Sequence, residues 1–153
     1  MNIFSVELYK SDYKQLWDTF VSKAIIDSFL FFRDFMEYHK NRFDDYSLLI
    51  FNERDLIAIL PANRIENVVY SHQGLTFGGL IVNQTLEEND FKAIFKTIIS
   101  FLKLNTINDF IIKSLPKIYW KKNDTLLDKL FFKDFEVIKT NMVLAIDYSK
   151  PLK

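Results

Sequence analysis

Apolar positions along this chain change their spacing several times, and each change marks an element. Residues 2–9 read as a first strand. Ser11 offers an N-cap, and Tyr13, Leu16, Trp17, Phe20 and Val21 then fall at helical spacing, which predicts an amphipathic helix to about Ala24. A second helical segment is expected within residues 30–42. Asp44 and Asp45 read as a turn, after which YSLLIF and LIAILPAN, separated by NERD, predict a hairpin. NVVYSHQ and LTFGGLIV follow as extended segments, so the centre of the chain is rich in strands.

Thr85 is read as the cap of a long helix in which Phe91, Ile94, Phe95, Ile98 and Leu102 share one face. INDFIIK predicts a strand ended by Pro116, then Leu126, Leu127, Leu130 and Phe131 mark another helix before extended runs near 135–147. No repeat or linker breaks this order, so residues 1–153 are read as one domain. Mixing of this kind predicts an α+β (α/β layered) fold, with helices flanking a central mixed, mostly antiparallel sheet.

Composition narrows the function classes. The chain of 153 residues is 49% hydrophobic, enough to fill a core. Twenty basic residues balance twenty acidic ones, so no net field draws in nucleic acid or an anionic membrane, and any anion recognition is local. With no cysteine and only two histidines, neither disulfides nor a dedicated zinc site is expected, and no metal is assigned. The N-terminus lacks the basic start and apolar stretch of a signal peptide, and the run FLFF is closed by Arg33, so no membrane span is expected. Cytoplasmic residence is the expectation.

All three glycines, Gly74, Gly78 and Gly79, fall within the segment HQGLTFGGL. Glycine permits positive φ and close approach of a ligand or another backbone, so the cluster reads either as a cleft wall or as a tight turn followed by a bulge. Extended backbone over 68–73 would project Tyr70 and His72 to one side. Acyl transfer to an amine needs a base and often an acid for the departing thiolate; His72 is the candidate base and Tyr70 the candidate acid. The competing reading of His72 is a buried histidine bonded to backbone, and a substrate hydrogen-bonding role lies between the two.

His39, in MEYHKNR, is a weaker substrate-site candidate. Arg33 and Arg42 offer bidentate grips for a phosphate or carboxylate, against the alternative of ion pairs with Asp34, Glu37 or Asp45. Asn63, after Pro61, either reads a substrate hydroxyl or makes an Asx-turn.

The stretches FLFFRDFMEYHKNRFDDYSLLIF, LIAILPAN, YSHQGLTFGGLIV, LPKIY and IDYSKP together resemble the N-terminal half of a bacterial family of GCN5-related (GNAT) or FemAB-like acyltransferases. The resemblance spans nearly the whole chain, and HQGLTFGG is its most specific part. It implies N-acyl transfer from acyl-CoA to an amino-sugar or aminoacyl acceptor, with this chain supplying mainly the acceptor-binding half. It also implies substrate contact along Gln73, Gly74, Thr76, Phe77, Gly78 and Gly79, and a second similar domain; the apolar surface of an aromatic-rich half without that domain predicts a homodimeric partner in its place. The other reading is a non-catalytic module that kept the fold and acts through a protein interface.

One departure is chemical. Acetyltransferases of this superfamily carry a glycine-containing loop ahead of the long helix that holds the coenzyme A pyrophosphate. Here the same place reads VNQTLEEND, without glycine and with Glu87, Glu88 and Asp90 at the helix start. The donor is therefore not expected to be held by the usual loop of this chain.

Overall fold

The alternation expected near the N-terminus is realised in β1 (Phe4–Leu8), whose side chains are in turn half-buried and exposed. The computed structural model describes residues 3–26, 28–38, 40–116 and 135–140. Contacts divide the chain into two units, residues 1–123 and 124–153; residues 135–140 of the second carry no helix or strand. The expected helix around 126–131 and the rest of the expected extended run to 147 lie outside the described residues.

Ser11 does not cap the first helix. It lies inside a 3-10 turn, Ser11–Tyr13, which leads into α1 (Lys14–Lys23). Trp17, Phe20 and Val21 carry the buried face, while Leu16 is exposed because only one side of the helix meets the sheet. The Trp17 indole donates to the Phe31 carbonyl at 2.8 Å, tying α1 to the 3-10 turn Phe29–Phe31. The second helix, α2 (Arg33–Glu37), is short, and Asp18 of α1 accepts from its first backbone N–H at 2.8 Å.

The meander follows as β2 (Asp44–Asp45), β3 (Leu48–Asn52), β4 (Asp55–Leu60), β5 (Asn63–Ile65), β6 (Val68–Tyr70) and β7 (Ile81–Val82). Asp44 and Asp45 are not a turn: they pair with Arg64 and Asn63. The β3–β4 hairpin turns at Glu53, with φ 55°, and the β5–β6 hairpin at Glu66, with φ 53°. The ladder shifts register after Ile50, a bulge that adds local twist.

The expected mixed, mostly antiparallel sheet structure is realised as two sheets of four strands, ordered β1-β3-β4-β7 and β2-β5-β6 with a last strand, β8 (Asp109–Ile111), beside β6. The division falls at Tyr46–Ser47 and Pro61–Ala62, between β2 and β3 and between β4 and β5. Pro61 has no N–H for a ladder bond, and the neighbouring groups are stitched locally. Tyr46 N–H donates to the Ala62 carbonyl at 2.9 Å, and Ser47 Oγ accepts from Ala62 N–H at 3.2 Å.

The long helix is α3 (Glu88–Leu104), with Phe91, Ile94, Phe95, Ile98 and Leu102 all buried, as their spacing predicts. Burial of such side chains contributes about 1.5–3 kcal/mol each. Its N-cap is Glu87, not Thr85, which is exposed two residues earlier. At the other end, Thr106 N–H donates to Lys103 and Ile107 N–H to Leu102, the bond pattern of a Schellman stop, with Thr106 at φ 61°. β8 (Asp109–Ile111) then runs parallel to β6.

Candidate functional site

Four residues lie in register across the second sheet: Asp45, Asn63, Tyr70 and Ile111. Directly paired residues share a face, so Asn63 and Tyr70 project together with Asp45. Tyr70 is half-buried and closes β6. The extended reading of 68–73 ends there: His72 takes φ 55° and its N–H turns back to the Tyr70 carbonyl at 2.7 Å. Alternation therefore no longer places His72 beside Tyr70.

The following residues form a loop whose neck is closed by backbone. Ser71 N–H donates to the Ile111 carbonyl at 2.9 Å, and the strand is resumed by Gly78, whose N–H donates to Lys113 at 2.8 Å. Gly78 bridges Ser114 in parallel, so residues 72–77 depart from the ladder between two consecutive attachments. Ser71 Oγ accepts from Lys113 N–H at 2.8 Å, and Lys113 Nζ reaches the Leu75 carbonyl at 3.2 Å. Neither Ser71 nor Lys113 stands out in the sequence, because their roles come from the parallel pairing of segments far apart in the chain.

The glycines are explained by the chain's own atoms. A Cβ at Gly78 would lie 2.2 Å from the Ser71 carbonyl oxygen, and one at Gly74 would lie 2.6 Å from the Phe43 ring. Gly79 has φ 106°. Close approach of backbone and ring accounts for Gly78 and Gly74, and positive φ for Gly79.

Asn63 holds the loop to the sheet. Its side-chain oxygen accepts from Gln73 N–H at 2.7 Å and its amide donates to Gln73 Oε1 at 3.0 Å. Fully buried, Asn63 is a clamp and makes no Asx-turn. His72 is 3% exposed, with its ring against Phe43 at a centroid distance of 5.5 Å. Such burial favours the packed-histidine reading over a base in contact with substrate. Gln73 and Thr76 are exposed, Gly74 is half-buried, and Phe77, Gly78 and Gly79 are buried.

Arg33 is no surface grip. At 2% exposure it lies between the sheet and the helices, with its guanidinium carbon 3.6 Å from the Tyr9 ring centroid. It pairs with Asp45, and its Nε lies 3.5 Å from Glu37; Asp34 instead pairs with Lys14 at 2.7 Å. A cation so engaged cannot close on a substrate phosphate. Arg42 is exposed, and His39 lies outside the described residues.

Beyond Gly78 and Ser114 no further pairing joins the two parallel strands among the described residues; β7 pairs with β4 instead. That layout, a meander, a long helix and a parallel strand returning beside the one before the helix, is shared with solved enzymes. A solved structure of AAC(6')-Iy with the bisubstrate analogue CoA-S-monomethyl-acetylneamine superposes with a TM-score of 0.58 at 10% identity, covering 95% of this chain and 99% of the other. A second, of the aminoglycoside N-acetyltransferase AAC(6')-Iy with CoA, gives 0.55 at 12% identity over 96% and 95%.

The chain has a GCN5-related acetyltransferase fold. No family model and no curated protein matches it by sequence. The start of α3, where the resemblance noted from the sequence would seat a coenzyme A pyrophosphate, is acidic. Glu87 is the N-cap, Glu88 and Asp90 stand in the first turn, and Lys92 is paired with Glu88. Carboxylates at a helix N-terminus satisfy the positive end of the dipole and repel a phosphate. Among the described residues no cluster of side chains is placed to hold a metal, and no helix is long and apolar enough to cross a membrane.

Proposed function

We propose that the chain is an N-acyltransferase unit acting on an amine of a small acceptor, of the amino-sugar or aminoacyl kind. The amine nitrogen attacks the carbonyl of an acyl thioester; the C–N bond forms, the C–S bond breaks, and the amine proton passes to water. Tyr70, half-buried on the sheet face, supplies the acid that protonates the departing thiolate and regains its proton from water. Gln73 and Thr76, the exposed side chains of the loop, meet the acceptor, and Asn63 keeps that loop in place. The observation that carries this reading is the fold correspondence with an N-acetyltransferase over nearly the full length of both chains.

Release of free thiol from S-acetylpantetheine and acetyl-CoA, followed with pooled aminoglycosides and aminoacyl amines, tests it. Acceptor-dependent release is expected, with Tyr70→Phe lowering kcat about 100-fold while the fold is retained. Absence of acceptor-dependent release from either thioester would reject the enzyme reading. It would leave the alternative, a binding or assembly module acting through a protein interface, which the acidic start of α3 favours.

A further inference from the structure

We infer that this chain engages an acyl donor through its acyl-pantetheine end alone, and that the nucleotide end adds nothing to recognition. The inference rests on the N-acyl transfer reading and deepens it. Leu86 and Phe91, at the N′ and N4 positions around the start of α3, are 9% and 3% exposed. They are placed as a hydrophobic staple, so apolar burial sets the way the chain enters the helix. The preceding residues, Asn83 to Thr85, are exposed and include no glycine to wrap backbone N–H groups around an anion.

The charges act in the same direction. Glu87, Glu88 and Asp90 bring three carboxylates to the turn, and the ammonium of Lys92 on the next turn is already paired with Glu88. A pyrophosphate placed there meets like charge where the fold otherwise offers a favourable dipole end. Recognition is left to the acyl-pantetheine end of the donor.

The sign of the salt dependence separates repulsion from grip. Calorimetric titration of the full chain with CoA and with pantetheine, at about 20 and about 300 mM KCl, spans weak and strong screening. CoA is expected to bind within about threefold of pantetheine, or not at all, and any CoA affinity is expected to hold or rise with salt. CoA binding about tenfold tighter than pantetheine, and weakening with salt, overturns the inference. The variant E87Q/E88Q/D90N, checked for folding by circular dichroism, is expected to gain about tenfold in CoA affinity with no change for pantetheine. An unchanged CoA affinity in the folded variant also overturns it. Thiol release from S-acetylpantetheine judges the N-acyl transfer reading separately.

Discussion

Arg33 and Asp45 form an ion pair at the point where β2 gives way to β3, and the same carboxylate accepts from Ser47 N–H at 2.9 Å. Arg33 Nη1 also lies 3.4 Å from Ser47 Oγ, the atom that meets Ala62 across the break in the sheet. One guanidinium thus braces both strands where their ladder is interrupted.

Removing that guanidinium strands Asp45 and leaves a hole beneath Tyr9. Arg33→Met is expected to cost about 3 kcal/mol, because a broken buried pair leaves its partner's charge uncompensated. Urea denaturation of Arg33→Met, Asp45→Asn and the double variant measures this. Additive losses from the two single changes would deny the coupling.

Gly78→Ala is expected to be far more damaging than Gly74→Ala. At Gly78 the new methyl meets the Ser71 carbonyl at 2.2 Å, backbone that is itself held by Ile111; at Gly74 it meets the half-buried Phe43 ring, which can turn away. Losses of about 3 and about 1 kcal/mol are expected, respectively. Thermal unfolding of the two variants gives the order.

Asn63→Ala frees the Gln73 N–H from the side-chain oxygen that accepts it on the sheet. Loss of the two bonds is expected to cost about 2 kcal/mol and to speed amide exchange at Gln73 more than tenfold. Exchange followed by NMR would show it, with α3 amides as the unaffected control.

Thr106→Gly is expected to stabilise the chain by about 1 kcal/mol, since a β-branched residue at φ 61° holds the place where helices ordinarily carry glycine. A rise in Tm of several degrees is the readout, and a fall would mean that Thr106 makes contacts worth more than its strain.

Burial raises the pKa of Tyr46 above 10.0, with Arg64 opposing. The guanidinium of Arg64 stands 5.6 Å from the ring centroid and eases ionisation, but among the described residues no well-aligned hydrogen bond reaches the buried phenol. A folded pKa above the unfolded one means that the contribution of the neutral phenol is complete below about pH 10 and is lost as pH rises through the folded value. Tyr46→Phe is therefore expected to be neutral or stabilising by up to about 1 kcal/mol at pH 7, and to flatten the alkaline fall in stability. Denaturant midpoints between pH 7 and 11 measure both.

Legibility in the sequence followed the range of the interaction. The face of α3 was readable because Phe91, Ile94, Phe95, Ile98 and Leu102 signal it within one helix. NERD marked the β3–β4 turn for the same reason. Caps were misread where two polar residues stood close together: Thr85 and Ser11 are good capping types, yet burial of Leu86 and placement of the 3-10 turn shifted each helix start. For Arg33 the sequence leaves a ligand grip and an ion pair side by side, because no local pattern announces that Tyr9, Trp17 and Asp45 will surround it.

By itself the sequence determined the mixed α+β class, the order of the first-unit elements and the acidic, glycine-free start of α3, since these depend on neighbours within a few positions. Tertiary structure alone decided that the sheet divides at Pro61, that Asn63 grips Gln73, and that Gly74 and Gly78 answer Phe43 and Ser71. Those contacts join segments brought together by strand pairing, and their energies depend on distances that no local spacing of residues encodes.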